Sequence, residues 1–140
     1  ILVSEACTEC GLCSRECPAG PIPPEEGARR LAEMGARVVV IKLGKQGCLV
    51  YEAATQRITR IPILPVDARD PTGAGDAFCG GFLVGLHETD DPVRAAAYGT
   101  VSSSFIVEGF GADYSYTITR PIAEKRLSAL QEQRTPICFT

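Results

Sequence analysis

Residues 70–82 read DPTGAGDAFCGGF and place a carboxylate, Asp76, directly behind three residues with almost no side chain, Gly73, Ala74 and Gly75. The apolar run from Ala77 to Leu86 predicts that a helix begins here. At any helix start four backbone N–H groups lack partners, and the helix dipole adds partial positive charge. Residues this small let a ligand approach those amides closely, which suits a phosphoryl group. A carboxylate in the same turn can take a proton from a hydroxyl beside that anion site, while the amides hold the developing charge. A plainer reading also stands on spacing alone: the glycines shape a tight turn and Asp76 caps a helix. The motif is not the dinucleotide fingerprint, because Phe78 occupies the place of the third glycine. It is not a Walker loop either, since no Gly-Lys-Ser/Thr follows.

A rival claim comes from residues 7–18, CTECGLCSRECP. Cys7, Cys10, Cys13 and Cys17, followed by Pro18, match C-x2-C-x2-C-x3-C-P. This resembles the bacterial ferredoxin run for a 4Fe–4S cluster. Three thiolates at such spacings can converge on one cluster. The fourth cysteine of such a run usually serves a second cluster, whose motif is missing here. A remote ligand must then complete the set, or Cys17 must bend back. Zn is a further occupant for four thiolates. The alternative is a loop insertion whose cysteines bind nothing. The remaining cysteines, Cys48, Cys79 and Cys138, are scattered, and an odd total of seven argues against a secreted disulfide framework. Cys48 and Cys79 lie in apolar runs and read as small buried hydrophobes in a reducing cytoplasm.

These residues need a scaffold. The 140 residues, 45% hydrophobic and 22% charged, have the profile of a globular protein, read as one domain or a large piece of one. A net charge of −3 with acids and bases interspersed gives no basic patch for nucleic acid. The longest apolar stretch, Ala77 to Leu86, is too short for a membrane span of ~20 residues. The chain opens on Ile1 in what reads as a strand under way, so a fragment is expected. A cysteine- and proline-rich loop over residues 7–24 follows.

Pro24, Glu25 and Glu26 predict a helix start, with Ala28, Leu31, Ala32 and Met34 on its apolar face and Gly35 at its end. ARVVVIKLG predicts a strand buried on both faces, as in a parallel sheet. GCLVYEAATQRITRIPIL predicts two strands around a turn at 53–56. After the PVDARDPTG loop comes a helix over 74–87, with Phe78, Phe82, Leu83 and Leu86 on one face. A second helix has Asp91 as cap, Pro92 first and Gly109 just beyond its end. PIAEKRLSALQEQ predicts a third, with Lys125 and Arg126 on its polar side. Strands alternating with helices give an α/β layered fold. His87 near a helix end and the loop residues Tyr114 and Tyr116 read as surface or packing groups.

DPTGAGDAFCGGF closely resembles the C-terminal signature of the ribokinase/PfkB family of carbohydrate kinases, with Pro71 in place of the commoner threonine. The resemblance implies the C-terminal part of a ribokinase-like fold: a mostly parallel sheet flanked by helices. It implies ATP-dependent phosphorylation of a sugar or related alcohol. Asp76 is then the catalytic base, and the amides of Gly73, Ala74, Gly75 and Asp76 form the anion hole. VVVIKLGKQGCLVY resembles the family's nucleotide-binding strand and turn, with Lys42, Gly44 and Gly47 contacting ATP; a hairpin turn with a surface lysine is the plainer alternative. SSSFIVEGFGA resembles the segment that closes over adenine and helps hold a monovalent cation such as K. Asp70, with the backbone of Thr72 and Gly111, is the implied cation site. ILVSEA resembles the family's N-E-x-E strand, of which only Glu5 carries over, toward Mg. Mg is expected in any case to neutralise the ATP phosphates. The implied partners are a small sugar and ATP, with no nucleic acid and no membrane; a homodimer is left open. Family members are markedly longer, with an N-terminal region that supplies most of the sugar pocket.

Overall fold

The computed structural model describes residues 22–132. These fall into two compact units, one ending at Arg60 and the other starting at Ile61.

Among the described residues the first unit opens with helix α1, Pro24–Glu33. Proline at the first helical position needs no hydrogen-bond partner, and Glu25 and Glu26 face the positive end of the dipole. The Glu25 carboxyl also pairs with Arg60 across the unit. The Glu25 amide, and then Arg60, hold that carboxyl below the ordinary range against the opposing effect of burial. The helix closes on Gly35, whose φ of +106° only glycine adopts without strain. The Gly35 amide donates to the Ala32 carbonyl and the Ala36 amide to the Leu31 carbonyl, a Schellman closure. Ala28 is fully buried against Val39, Ile41, Leu49, Tyr51 and Ile58, with Leu31 and Ala32 at the margin. Met34, expected on this apolar face, is 81% exposed. It sits at the C-cap, after the last turn, so the face no longer governs its direction.

Strands β1 (Val38–Lys42), β2 (Cys48–Glu52) and β3 (Arg57–Ile61) form a sheet in the order β1-β2-β3. Val39, Val40 and Ile41 are all buried, as the β-branched run predicts. The pairing of β1 with β2 is nevertheless antiparallel, with Val38 opposite Glu52 and Lys42 opposite Cys48. Burial of β1 on both faces suggests a parallel neighbour for it, and only that local pairing is corrected. Connection length decides instead: residues 43–47 suffice for a hairpin, whereas a parallel return needs a crossover of a dozen residues or more. The expected strand at residues 1–3 lies outside the described residues.

The second unit carries helices α2 (Ala74–Thr89), α3 (Pro92–Ile106) and α4 (Arg120–Glu132), with a 3-10 segment at Ala112–Thr117. Only Asp90 and Asp91 separate α2 from α3. Asp90 takes a left-handed conformation, φ +51°, and its amide donates to the Leu86 carbonyl. Asp91 Oδ1 accepts from the amides of Val93 (2.8 Å) and Arg94 (3.1 Å), with Pro92 behind it, as the sequence predicted. So tight a link folds α3 back along α2. Phe78 and Phe82 are buried and stack at 6.3 Å. Leu83, expected beside them, is 55% exposed. The contact surface of α2 runs through Phe78, Gly81, Phe82 and Gly85 instead, and glycines there allow backbone to approach backbone. Among the described residues no helix is long and apolar enough to cross a membrane.

Candidate active site

The glycine turn is an exposed helix start. Gly73 is the N-cap of α2 in a left-handed conformation, φ +79°. A Cβ there would meet only Ile106 Cγ2, at 3.7 Å, so backbone conformation rather than space calls for glycine. The Ala77 amide donates to the Gly73 carbonyl (2.9 Å) as the first intrahelical bond. The Ala74 amide donates to the Pro71 carbonyl (3.1 Å). Among the described residues, the amides of Gly73, Gly75 and Asp76 have no acceptor. Asp76 is exposed, and its carboxylate has no ion pair or hydrogen bond among the described residues. Bare amides and an unengaged carboxylate therefore share one turn.

The loop before this turn is tied to the end of α3. The amides of Arg69 (2.7 Å) and Asp70 (3.2 Å) both donate to the Val107 carbonyl. Asp70 Oδ1 accepts the Thr72 amide at 2.9 Å, an Asx turn. Hydrogen bonding from Thr72 holds the Asp70 carboxyl below the ordinary carboxylate range. A lowered folded-state pKa contributes order that is complete above the unfolded-chain value, about 4, and is lost as pH falls through the lower folded value. We expect the Thr72 amide resonance to titrate with a midpoint below that of an unstructured aspartate. An NMR pH titration checks this; a midpoint at or above the ordinary value would show that the Asx turn does not form. Gly111, the third member of the expected cation site, is exposed with φ +73°, and a Cβ would meet nothing within 4 Å.

In the first unit, Lys42 ends β1, and Gly44 and Gly47 frame the hairpin that joins it to β2. Gly44 has φ +54° and Gly47 φ +85° with ψ −135°, the latter open in practice only to glycine. The Leu43 amide donates to Gly47 and the Gly47 amide to Gly44, closing the turn. Each glycine thus has a structural reason independent of any ligand. Glu5 and the four cysteines Cys7, Cys10, Cys13 and Cys17 lie outside the described residues.

The structure revises several smaller expectations. Cys48 is buried, but Cys79 is half-buried. His87 and Tyr116 are exposed, as expected. Lys125 is exposed, whereas Arg126 is ion-paired with Glu108 and packed on Phe105. Two features escaped the sequence reading. One is the clamp at the Val107 carbonyl, which leaves no side-chain signal. The other is the seam of Gly81, Gly85 and Gly99, whose signal was the four-residue spacing of the first two.

Comparison with known proteins decides the family. The sequence pattern described as pfkB family carbohydrate kinase matches residues 12–119, most of the chain. The chain belongs to the pfkB family. This pfkB-family chain is 36% identical over 94 residues to the cytidine kinase of Thermococcus kodakarensis, covering 67% of the chain and 34% of that protein. The crystal structure of a ribokinase from Thermotoga maritima superimposes with a TM-score of 0.74 at 30% identity, covering 91% of the chain and 41% of the ribokinase. A fructokinase from Vibrio cholerae, solved with fructose, ADP and calcium ion bound, gives 0.64 at 26% identity, covering 76% and 35%. The fold is therefore ribokinase-like. The pfkB-family chain spans about a third of the length of the curated relatives it matches.

Proposed function

We propose that the protein transfers the γ-phosphoryl group of ATP to a hydroxyl of a sugar or related alcohol. One observation carries the reading: an exposed carboxylate, Asp76, stands in the same helix-opening turn as amides that have no acceptor among the described residues. On this reading the chain is the C-terminal part of a kinase domain and carries the base and the anion hole.

Asp76 takes the proton of the acceptor hydroxyl as that oxygen bonds to phosphorus. The bond from phosphorus to the bridging oxygen breaks, and its electron pair leaves with ADP. Charge spread over the transferred group falls on the amides of Gly73, Gly75 and Asp76. The Ala74 amide joins them only by giving up the Pro71 carbonyl. Phosphoryl transfer rests on positioning and charge stabilisation, so a single rigid turn can serve both needs. Lys42, Gly44 and Gly47 are assigned to the nucleotide.

Among the described residues no three or more His, Cys, Asp or Glu side chains gather into a metal cluster. Mg in such chemistry is held largely by ATP phosphates and water with one or two carboxylates, rather than by an all-protein cage. Glu5 is the carboxylate assigned to it. When bound, Mg neutralises phosphate charge. Asp70 with the backbone of Thr72 and Gly111 would hold a monovalent cation, an oxygen-rich set suited to a hard ion.

The relatives' names make cytidine, ribose and fructose the acceptors to try. Calorimetric titration with ATP, beside transfer assays on these three, tests the reading. Binding with transfer supports it. Binding with no transfer would reduce the chain to a nucleotide-binding fragment, and no binding would remove the kinase reading.

A further inference from the structure

We propose that Arg126, on α4, is a positioning residue for the turn that runs from Asp70 to Asp76. It fastens the last turn of α3, so that the Val107 carbonyl stands where the Arg69 and Asp70 amides can reach it. The consequence for catalysis rests on the kinase reading; the structural claim does not.

The guanidinium makes three contacts with the end of α3. Nη2 donates to Glu108 Oε2 at 2.6 Å, and Nη1 donates to Ser104 Oγ at 2.8 Å. Cζ lies 3.9 Å above the Phe105 ring. Ser104 Oγ in turn donates to the Val101 carbonyl at 2.7 Å, so the buried hydroxyl is satisfied in both roles. Arg126 and Glu108 are both largely shielded, 23% and 19% exposed. Screening is therefore weaker than for a surface pair, and removing one partner leaves a shielded charge uncompensated.

Val107 lies between the residues so held. Its carbonyl belongs to the C-terminal turn of α3, where carbonyls lack intrahelical partners. It receives Arg69 at 2.7 Å and Asp70 at 3.2 Å. Ile106, one residue earlier, stands 3.7 Å from where a Gly73 Cβ would be. The end of α3 thus holds the start of this turn through the Arg69 and Asp70 amides and comes close to Gly73 at its middle, and Arg126 helps tie that end to α4. A planar fork that bonds two groups while its face packs on a ring is specific to arginine; lysine offers a point charge only.

Amide exchange by NMR on the full chain tests this. In Arg126→Gln, exchange at Arg69 and Asp70 is expected to rise about tenfold or more relative to interior α2 amides such as Phe82. Arg126→Lys should fall between that variant and the parent. Arg120→Gln, which removes an exposed pair with Glu124 on the same helix, should leave the ratio unchanged. An unchanged ratio in Arg126→Gln would overturn the proposal, as would equal acceleration everywhere. Should Arg126→Gln not fold, the same ratio in Arg126→Lys decides. ATP affinity, measured alongside, should fall severalfold in Arg126→Gln. If the parent chain binds no ATP, the kinase reading fails, and the exchange ratio still decides the role of Arg126.

Discussion

Asp76→Asn is expected to lower phosphoryl transfer by about 10²- to 10⁴-fold, the range that a positioned general base supplies. The asparagine amide matches the carboxylate in shape but has no basic oxygen to take the proton. The substitution is structurally mild. Asp76 is exposed, lies in the first turn of α2 and has no ion pair among the described residues. Thermal stability should therefore be nearly unchanged. ATP affinity should hold within a few-fold or tighten, because a negative charge beside the phosphate site is removed. Single-turnover rates and ATP titrations on the same preparation separate the two quantities. A variant that keeps transfer within about threefold of the parent would remove Asp76 from the base role, since a base contributes at least about a hundredfold.

The second large effect is on stability, and its sign reverses between neighbouring residues. A Cβ on Gly81 would lie 2.7 Å from Ser102 Cβ and 2.8 Å from the Tyr98 carbonyl oxygen. On Gly85 it would lie 2.8 Å from Tyr98 Cβ and 2.9 Å from Ala95 Cα, and on Gly99 2.8 Å from the Phe78 carbonyl oxygen. Backbone atoms in this list cannot swing aside as a side chain would. Each substitution by alanine should therefore cost about 1–3 kcal/mol through overpacking, more than the helix propensity it gains. Gly80 is exposed, and its Cβ would meet nothing within 4 Å. Gly80→Ala should stabilise by about 0.5–1 kcal/mol, the ordinary gain at a helix interior. Urea unfolding of Gly80→Ala and Gly81→Ala checks both signs. Equal effects of the two would mean that α2 and α3 do not approach this closely. The seam matters for the site because Ile106, at the far end of α3, stands 3.7 Å from where a Gly73 Cβ would be.

Local signals were legible wherever local chemistry decides. Pro24, Asp91, Pro92 and Gly35 mark helix ends because capping and φ restrictions act within a few residues. The order of elements and the turn at 53–56 follow from the same punctuation. DPTGAGDAFCGGF carried the family resemblance because its small residues and adjacent acid follow one another in a fixed local order, legible without the fold. The match of the family pattern over residues 12–119 agrees with it.

What the residue pattern could not supply depends on partners distant in sequence. Burial of Val39, Val40 and Ile41 on both faces was correctly expected, yet burial does not distinguish parallel from antiparallel neighbours; pairing does. Arg126 looked like a surface charge on an amphipathic helix because nothing local announces Glu108, Ser104 and Phe105 across the unit. Leu83 yielded its place to Gly81 and Gly85 because closeness of two backbones, not hydrophobicity, selects residues along that seam. The amino-acid sequence by itself determined where helices start and stop and which turn is small enough to be proposed as a phosphate site. Only the tertiary structure decided which amides in that turn are engaged and which remain bare among the described residues. Hydrogen bonds such as those to the Pro71 and Val107 carbonyls join backbone groups, which are identical at every position of the chain until folding brings them together.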